Sequence, residues 1–147
     1  MRTRDNLIVL QPDEGLSHGG IVQKVDSAQT GGRRGVVIVR SKRGSSGWTH
    51  LHRGEPEAFF VLDGDLELCG AESVTRVGRG TFILAPPDTE HSFRVLSEEA
   101  RWLAIWPPSL DGLLEELRQA EAEGRTDLTT TAEIRPRHGT FPGRRIG

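Results

Sequence analysis

Short runs of apolar and β-branched residues, separated by glycine- and proline-containing turns, recur along the first 106 residues of the chain. They predict ten strands, at residues 6–10, 20–25, 34–41, 46–52, 57–63, 65–70, 73–77, 81–85, 91–96 and 100–106. The gaps are mostly short enough for hairpin loops, a spacing typical of β-sandwiches and barrels. Asp63-Gly64 predicts a two-residue hairpin, because glycine supplies the positive φ that such a turn requires. We therefore predict an all-β body.

The pattern changes after Trp106, where leucines recur at helical spacing at residues 110, 113, 114 and 117. They predict one amphipathic helix, with Ser109 as its N-cap and Gly124 at its end. We interpret the leucine stripe as barrel packing rather than as a gate. The polar remainder has room for one more short helix before an extended end. The prediction is a single domain over residues 1–147, with a barrel at about 20–106 and a helical tail at about 107–147.

The overall charge excludes some classes of partner. The chain of 147 residues has 19 basic and 21 acidic side chains, a formal charge of −2, and we find no long cationic run. Binding to nucleic acid is therefore not expected. The apolar stretch LIVL near the start is too short for a signal peptide or a membrane span, and the single Cys69 has no partner for an internal disulfide. We expect a cytoplasmic protein with no membrane association.

Four residues carry candidate metal chemistry. His50 and His52 project from the same face of one predicted strand, because successive side chains alternate. Glu57 opens the next strand, and a short turn would bring it back towards the two histidines. His91 follows a turn and begins a later strand that a folded sheet could bring to the same place. Three imidazoles and a carboxylate suit a divalent transition metal and leave positions for water or substrate.

Aromatic and apolar residues are predicted to line a substrate pocket beside these ligands. Trp48 shares the face of the paired histidines, Phe59 and Val61 share the face of Glu57, and Phe93 lies two residues after His91. Trp102 is a further candidate, although core packing explains it equally well. The remaining histidines, His18 in a glycine-flanked loop and His138 in the tail, are predicted to be exposed to solvent.

The spacing of the candidate ligands resembles two motifs of the cupin family. The first is a glycine, five residues, His-x-His, four residues, a glutamate, six residues and a glycine, and it is matched at Gly44, His50, His52, Glu57 and Gly64. The second is matched at Gly80, Pro86 and His91. Asp88 stands where the family usually has glycine, and Val95 where it often has asparagine. Both departures fall on turn or packing positions, so they affect the expected loop shape and leave the ligand set intact.

Nearly the whole chain is similar to single-domain cupins of the quercetin-dioxygenase-like and polyketide-cyclase-like group. That resemblance implies a jelly-roll barrel, the double-stranded β-helix, often homodimeric, which holds one divalent ion of iron, manganese, nickel, copper, cobalt or zinc. It favours a dioxygenase-type enzyme acting on a small enolisable or aromatic organic substrate, with Glu57 as a ligand or as a catalytic base. A non-redox cyclase, isomerase or decarboxylase is the alternative, and a barrel that binds a small molecule without turnover is the second alternative.

Overall fold

A computed structural model describes residues 1–143 of the chain, in which short antiparallel strands are the main secondary structure. The strands are β1 (Leu16–His18), β2 (Ile21–Val25), β3 (Gly35–Lys42), β4 (His50–His52), β5 (Glu57–Asp63), β6 (Asp65–Gly70), β7 (Val74–Gly78), β8 (Phe82–Ala85), β9 (His91–Val95), β10 (Glu99–Trp106) and β11 (Thr140–Pro142). The helices are a short 3₁₀ helix (Ala28–Thr30), α1 (Ser109–Ala122) and α2 (Leu128–Arg137).

The strands form two sheets, and every pairing between named strands is antiparallel. One sheet has the order β1-β2-β3-β10-β5-β8, and the other has the order β11-β4-β9-β6-β7. Strands that follow one another in the chain often lie in different sheets, as β4 and β5 do, so the chain crosses repeatedly between the two layers. This all-β arrangement, with a helical tail, confirms the predicted jelly-roll class.

The core lies between the two sheets and follows the two-residue period of the strands. In β10 the buried side chains are Ala100, Trp102, Ala104 and Trp106, alternating with more exposed ones. Buried residues of β3, β5, β6 and β9 belong to the same core: Val37, Val61, Leu66 and Val95. Because each strand turns one face inward, its alternate residues point into the barrel, where the site lies.

Two predictions about the strands are wrong. Residues 6–10 form no strand: Ile8 makes an isolated β-bridge with Arg2, and Leu7 stays exposed. Asp63-Gly64 is not a hairpin turn, because β5 and β6 belong to different sheets. Gly64 lies at the corner between them, where its φ is +88° and an added Cβ would stand 2.5 Å from a backbone carbonyl oxygen. Glycine is therefore needed at residue 64 because the chain crosses between the sheets there, and not because it forms a hairpin turn.

The tail contains the predicted helix and one more. Helix α1 begins at Ser109, whose hydroxyl donates to Glu55 rather than capping the helix, so the predicted N-cap is wrong. Gly124, in the left-handed conformation, follows the end of α1 as predicted. Two leucines of the stripe, Leu110 and Leu114, are buried in the core. Helix α2 and β11 follow, and β11 pairs with β4. Within residues 1–143, no helix has the length and apolar character needed to cross a membrane.

Candidate metal centre

Three strands bring the four candidate ligands together inside the barrel. His50 and His52 lie on β4, His91 starts the neighbouring β9 and pairs with His50, and Glu57 starts β5 in the facing sheet. One ligating atom from each of the four residues lies within 4.8 Å of those of the other three. His52, Glu57 and His91 are buried, and His50 is half-buried. The structure therefore groups four side chains that are spread over 42 positions of sequence, from 50 to 91.

The ring orientation of each histidine is fixed by a partner at Nδ1. His50 Nδ1 donates to the carbonyl oxygen of Trp48 at 2.6 Å, and His91 Nδ1 donates to that of Thr89 at 2.9 Å. His52 Nδ1 lies 3.1 Å from the hydroxyl oxygen of Thr140. A partner at Nδ1 fixes the tautomer of a metal-binding imidazole, because it leaves the Nε2 lone pair available to the ion.

Glu57 is the electrostatic centre of the group. Its Oε2 accepts hydrogen bonds from His52 Nε2 at 2.7 Å and from His91 Nε2 at 3.1 Å, through the protons that a bound metal ion would displace. Burial alone would raise the pKa of Glu57, but the hydrogen bonds from His52 and His91 outweigh burial and lower the pKa to about 2. The carboxylate therefore stays ionised, which is the form that binds a cation.

The pKa values of His50 and His91, which pair between β4 and β9, are shifted in opposite directions. Burial, with His91 close by, lowers the pKa of His50 to about 4. Burial also disfavours the charged form of His91, yet its hydrogen bond to Glu57 has the opposite effect and the pKa of His91 is raised. His50, which stays neutral, and Glu57, which stays ionised, are in the states that suit metal ligation, whereas a proton on His91 Nε2 would be displaced by a bound ion. The donor set, its burial and the Nδ1 partners therefore fit a divalent transition metal.

A cavity of about 370 Å³ adjoins the four side chains and is large enough for a small organic molecule. All five residues predicted to line the pocket lie on its wall: Trp48, Phe59, Val61, Phe93 and Trp102. The ring of Phe59 packs 5.7 Å from that of His91, and Phe93 packs edge-to-face on Trp102 at 4.6 Å. Trp102 is also part of the hydrophobic core, so it both lines the cavity and packs in the core.

The tail contributes cavity residues that sequence reasoning did not single out. Thr140 of β11 contacts His52, and Arg135 of α2 lines the cavity near Trp48. The leucine stripe of α1 closes another part of the wall, at Leu110, Leu113, Leu114 and Leu117. The leucine spacing was a signal that could have suggested this. No comparable local signal marks Thr140 or Arg135, because their partners are far away in sequence.

The two remaining histidines lie outside the centre, and the prediction that they are exposed is wrong. His18 Nδ1 lies 2.9 Å from Glu121 Oε2, and His138 Nε2 lies 2.6 Å from Glu116 Oε2, with each imidazole only 22% exposed. Both contacts attach to α1. These histidines therefore belong to the packing of the tail.

The departure at Asp88 leaves the loop before His91 in the conformation that glycine would favour. Asp88 has a φ of +62°, its N–H donates to the carbonyl of His52, and its carboxylate accepts from the N–H of Gly54. Aspartate tolerates this left-handed region better than most residues. Val95 is buried in the core, where an apolar side chain packs without a polar partner.

The fold and the site are similar to those of small cupins. Residues 37–106 match the model of the cupin domain, a range that runs from β3 to the end of β10. The match includes all four candidate ligands. It confirms the family resemblance that the two motifs suggest.

Part of the chain is similar in sequence to a curated enzyme. The quercetin 2,3-dioxygenase of Bacillus subtilis (strain 168) is 27% identical over 106 residues, which cover 69% of this chain and 32% of that protein. The chain thus spans about one third of the length of this curated relative.

Two solved structures share the fold. The polyketide cyclase RemF from Streptomyces resistomycificus superposes with a TM-score of 0.55 at 21% identity, covering 60% of this chain and 63% of that one. KdgF from Halomonas sp. gives 0.53 at 23% identity, covering 60% and 79%. At these identities the similarity concerns the fold.

Proposed function

We propose that this cupin is a metal-dependent enzyme of the dioxygenase type, acting on a small enolisable or aromatic organic substrate. One observation carries the proposal: four buried or half-buried ligating side chains converge within 4.8 Å and open onto a cavity with aromatic walls. The 27% identity to a quercetin 2,3-dioxygenase supports the choice of reaction class.

The proposed ligands are His50, His52, Glu57 and His91. Three neutral imidazoles and one carboxylate around a divalent ion leave a net charge near +1 by simple addition, which favours an anionic oxygen of the substrate, such as an enolate or a phenolate. When bound, a redox-active ion supplies the electron-transfer chemistry that a reaction with dioxygen requires.

The side chains of the chain itself bind and orient the substrate. Phe59, Phe93 and Trp102 present aromatic surface on the cavity wall, which suits a planar molecule and excludes water from it. Glu57 has two proposed roles, as a ligand and as the base that takes the substrate proton. Its low pKa favours the ligand role, because a carboxylate that is so weakly basic is a poor proton acceptor.

The test is elemental analysis of the purified protein together with oxygen uptake on quercetin as a probe substrate. We expect about one metal ion per chain in the wild type and in His138→Ala, whose histidine pairs with Glu116 outside the site, and loss of the ion in His52→Ala. His52→Ala is expected to remain folded, since the apolar core between the sheets is independent of the ion.

The outcomes separate three functions. Iron, copper, nickel, manganese or cobalt with quercetin-dependent oxygen uptake in the wild type alone would support the dioxygenase proposal. Bound zinc without oxygen uptake would shift the assignment to a cyclase, isomerase or decarboxylase, in which the ion polarises a carbonyl. Wild-type protein that binds no metal would leave a barrel that only binds a small molecule, and it would refute the proposal.

A further inference from the structure

Arg135 places a positive charge on the wall of the cavity that contains the metal centre. It lies in the last turn of α2, and its side chain lines the same cavity as His50 and His52. The guanidinium carbon lies 4.9 Å from the centre of the Trp48 ring. Ile134, the preceding residue, is buried, and α2 packs against α1 and β11. The position of Arg135 therefore follows from packing of the tail.

The other arginines near the end of the chain are differently placed. Arg137, two residues on, contacts the carboxylate of Glu116 and is more exposed. Arg53 is exposed, lies over the ring of Phe141 at 4.0 Å and does not line the cavity. Among residues 1–143, no carboxylate lies within ion-pair distance of the Arg135 guanidinium. Arg135 thus combines partial burial, a position in the cavity and the lack of an anionic partner in the described chain.

A guanidinium that is partly removed from water is stabilised by a counter-charge. Burial lowers the pKa of Arg135, a sign that its charge is disfavoured where it lies. The face of the Trp48 ring attracts the cation but satisfies none of its N–H donors. A planar carboxylate matches the paired donors of guanidinium and forms the strongest type of hydrogen-bonded ion pair.

We propose that Arg135 is a specificity-determining residue that binds a carboxylate of the substrate, while an enolate or phenolate oxygen of the same molecule faces the metal ligands. This inference rests on the proposed function and narrows it: the substrate class becomes small aromatic or enolisable carboxylic acids. Trp48 orients the guanidinium, and the aromatic walls enclose the planar body of the acid between the two charged ends.

The test compares two ligands that differ by one carboxylate, catechol and 3,4-dihydroxybenzoate, on zinc-loaded protein, in which dioxygen is not consumed by the ion. Dissociation constants are measured by calorimetry for the wild type, Arg135→Gln, Arg135→Lys and the control Arg53→Gln. The control also removes one arginine stacked on an aromatic ring, but outside the cavity. Zinc content and circular dichroism establish that each variant is folded and loaded.

We expect the wild type and Arg53→Gln to bind the carboxylate-bearing ligand about tenfold or more tightly than catechol, because a desolvated, charge-assisted pair is strong. Arg135→Gln should lose this preference and keep its affinity for catechol. Arg135→Lys should keep part of the preference for the carboxylate-bearing ligand. Equal affinities for the two ligands in the wild type, or a preference that survives in Arg135→Gln, would overturn the inference.

The same data distinguish this inference from the proposed function. If both ligands bind with equal affinity and only to zinc-loaded wild type, the assignment of Arg135 fails and the metal centre stands. If the wild type binds no zinc, or binds the ligands equally well without it, the proposed function fails and the substrate assignment fails with it.

Discussion

Replacing Thr140 by valine should weaken metal binding without removing a ligand. The nitrogen Nδ1 of His50 and that of His91 are each held by a backbone carbonyl, which no substitution deletes. The nitrogen Nδ1 of His52 instead faces the hydroxyl of Thr140, which is buried and lies 3.1 Å away. Valine keeps the shape of threonine and loses the hydroxyl. The change therefore tests one hydrogen bond at one ligand.

The expected magnitude follows from the tautomer of His52. An ion bound at His52 Nε2 requires the imidazole proton on Nδ1, where the Thr140 hydroxyl oxygen would accept it; in the valine variant that buried N–H has no acceptor. The proton that Nε2 donates to Glu57 at 2.7 Å would have to leave in both proteins, so the difference between them comes from Nδ1. Loss of such an outer partner of a metal ligand typically costs about 10- to 100-fold in affinity, or about 1.4–2.8 kcal/mol.

The assay is competition for zinc with a chromophoric chelator at neutral pH. Thr140→Ser, which keeps the hydroxyl, is the control and should bind zinc within about threefold of the wild type. Thermal unfolding of the metal-free proteins shows whether valine perturbs the fold itself. Equal zinc affinity in the wild type and Thr140→Val would refute the reasoning, because His52 would then need no partner at Nδ1.

Three further changes test the site, the corner and the assembly. Glu57→Gln should retain part of the metal affinity and lose turnover, measured by metal content and oxygen uptake; wild-type activity would exclude a role as base or essential ligand. Gly64→Ala should lower the free energy of unfolding, measured in urea, by about 2 kcal/mol or more. Gly80→Ala, the control, should lower it by about 1 kcal/mol, because Gly80 has a similar φ but open space around it. Equal losses would contradict a clash between the added Cβ at residue 64 and the backbone. Phe82 is 62% exposed and pairs with the exposed Phe60 on the outer sheet face. We therefore expect light scattering to show a homodimer for the wild type and a monomer for Phe82→Glu. A monomeric wild type would contradict this.

The parts of the fold and of the site that follow from local alternation were predictable. The two-residue period of a strand places His50 and His52 on one face, and it places Glu57, Phe59 and Val61 on another. The structure has all five residues on the cavity wall. The spacing within the two motifs adds His91, which pairs with His50 across the ladder. The alternation of side chains along one strand is enough to predict which residues share a face of the sheet.

The parts that depend on which strands pair were not predictable. An Asp-Gly turn has the same sequence whether the chain returns in one sheet or crosses to another, and only the neighbouring strands decide this at Gly64. Residues 6–10 have the composition of a strand but gain no continuous partner, so propensity alone does not hold them in a sheet. Thr140 reaches His52 because β11 pairs with β4, a contact across 88 positions of sequence.

If the proposed role of Arg135 holds, the tail adapts the barrel to its substrate. The four proposed ligands lie on β4, β5 and β9 of the barrel, whereas Thr140 and Arg135 reach the site from β11 and α2 of the tail. Glu116 of α1 contacts both Arg137 and His138, which lie between those two residues in the chain, and so fixes the segment that bears them. Orientation of one ligand and the charge at the cavity wall thus depend on the same helical packing. A substitution in that packing should change metal affinity and ligand preference together, even though it touches neither the ion nor the substrate.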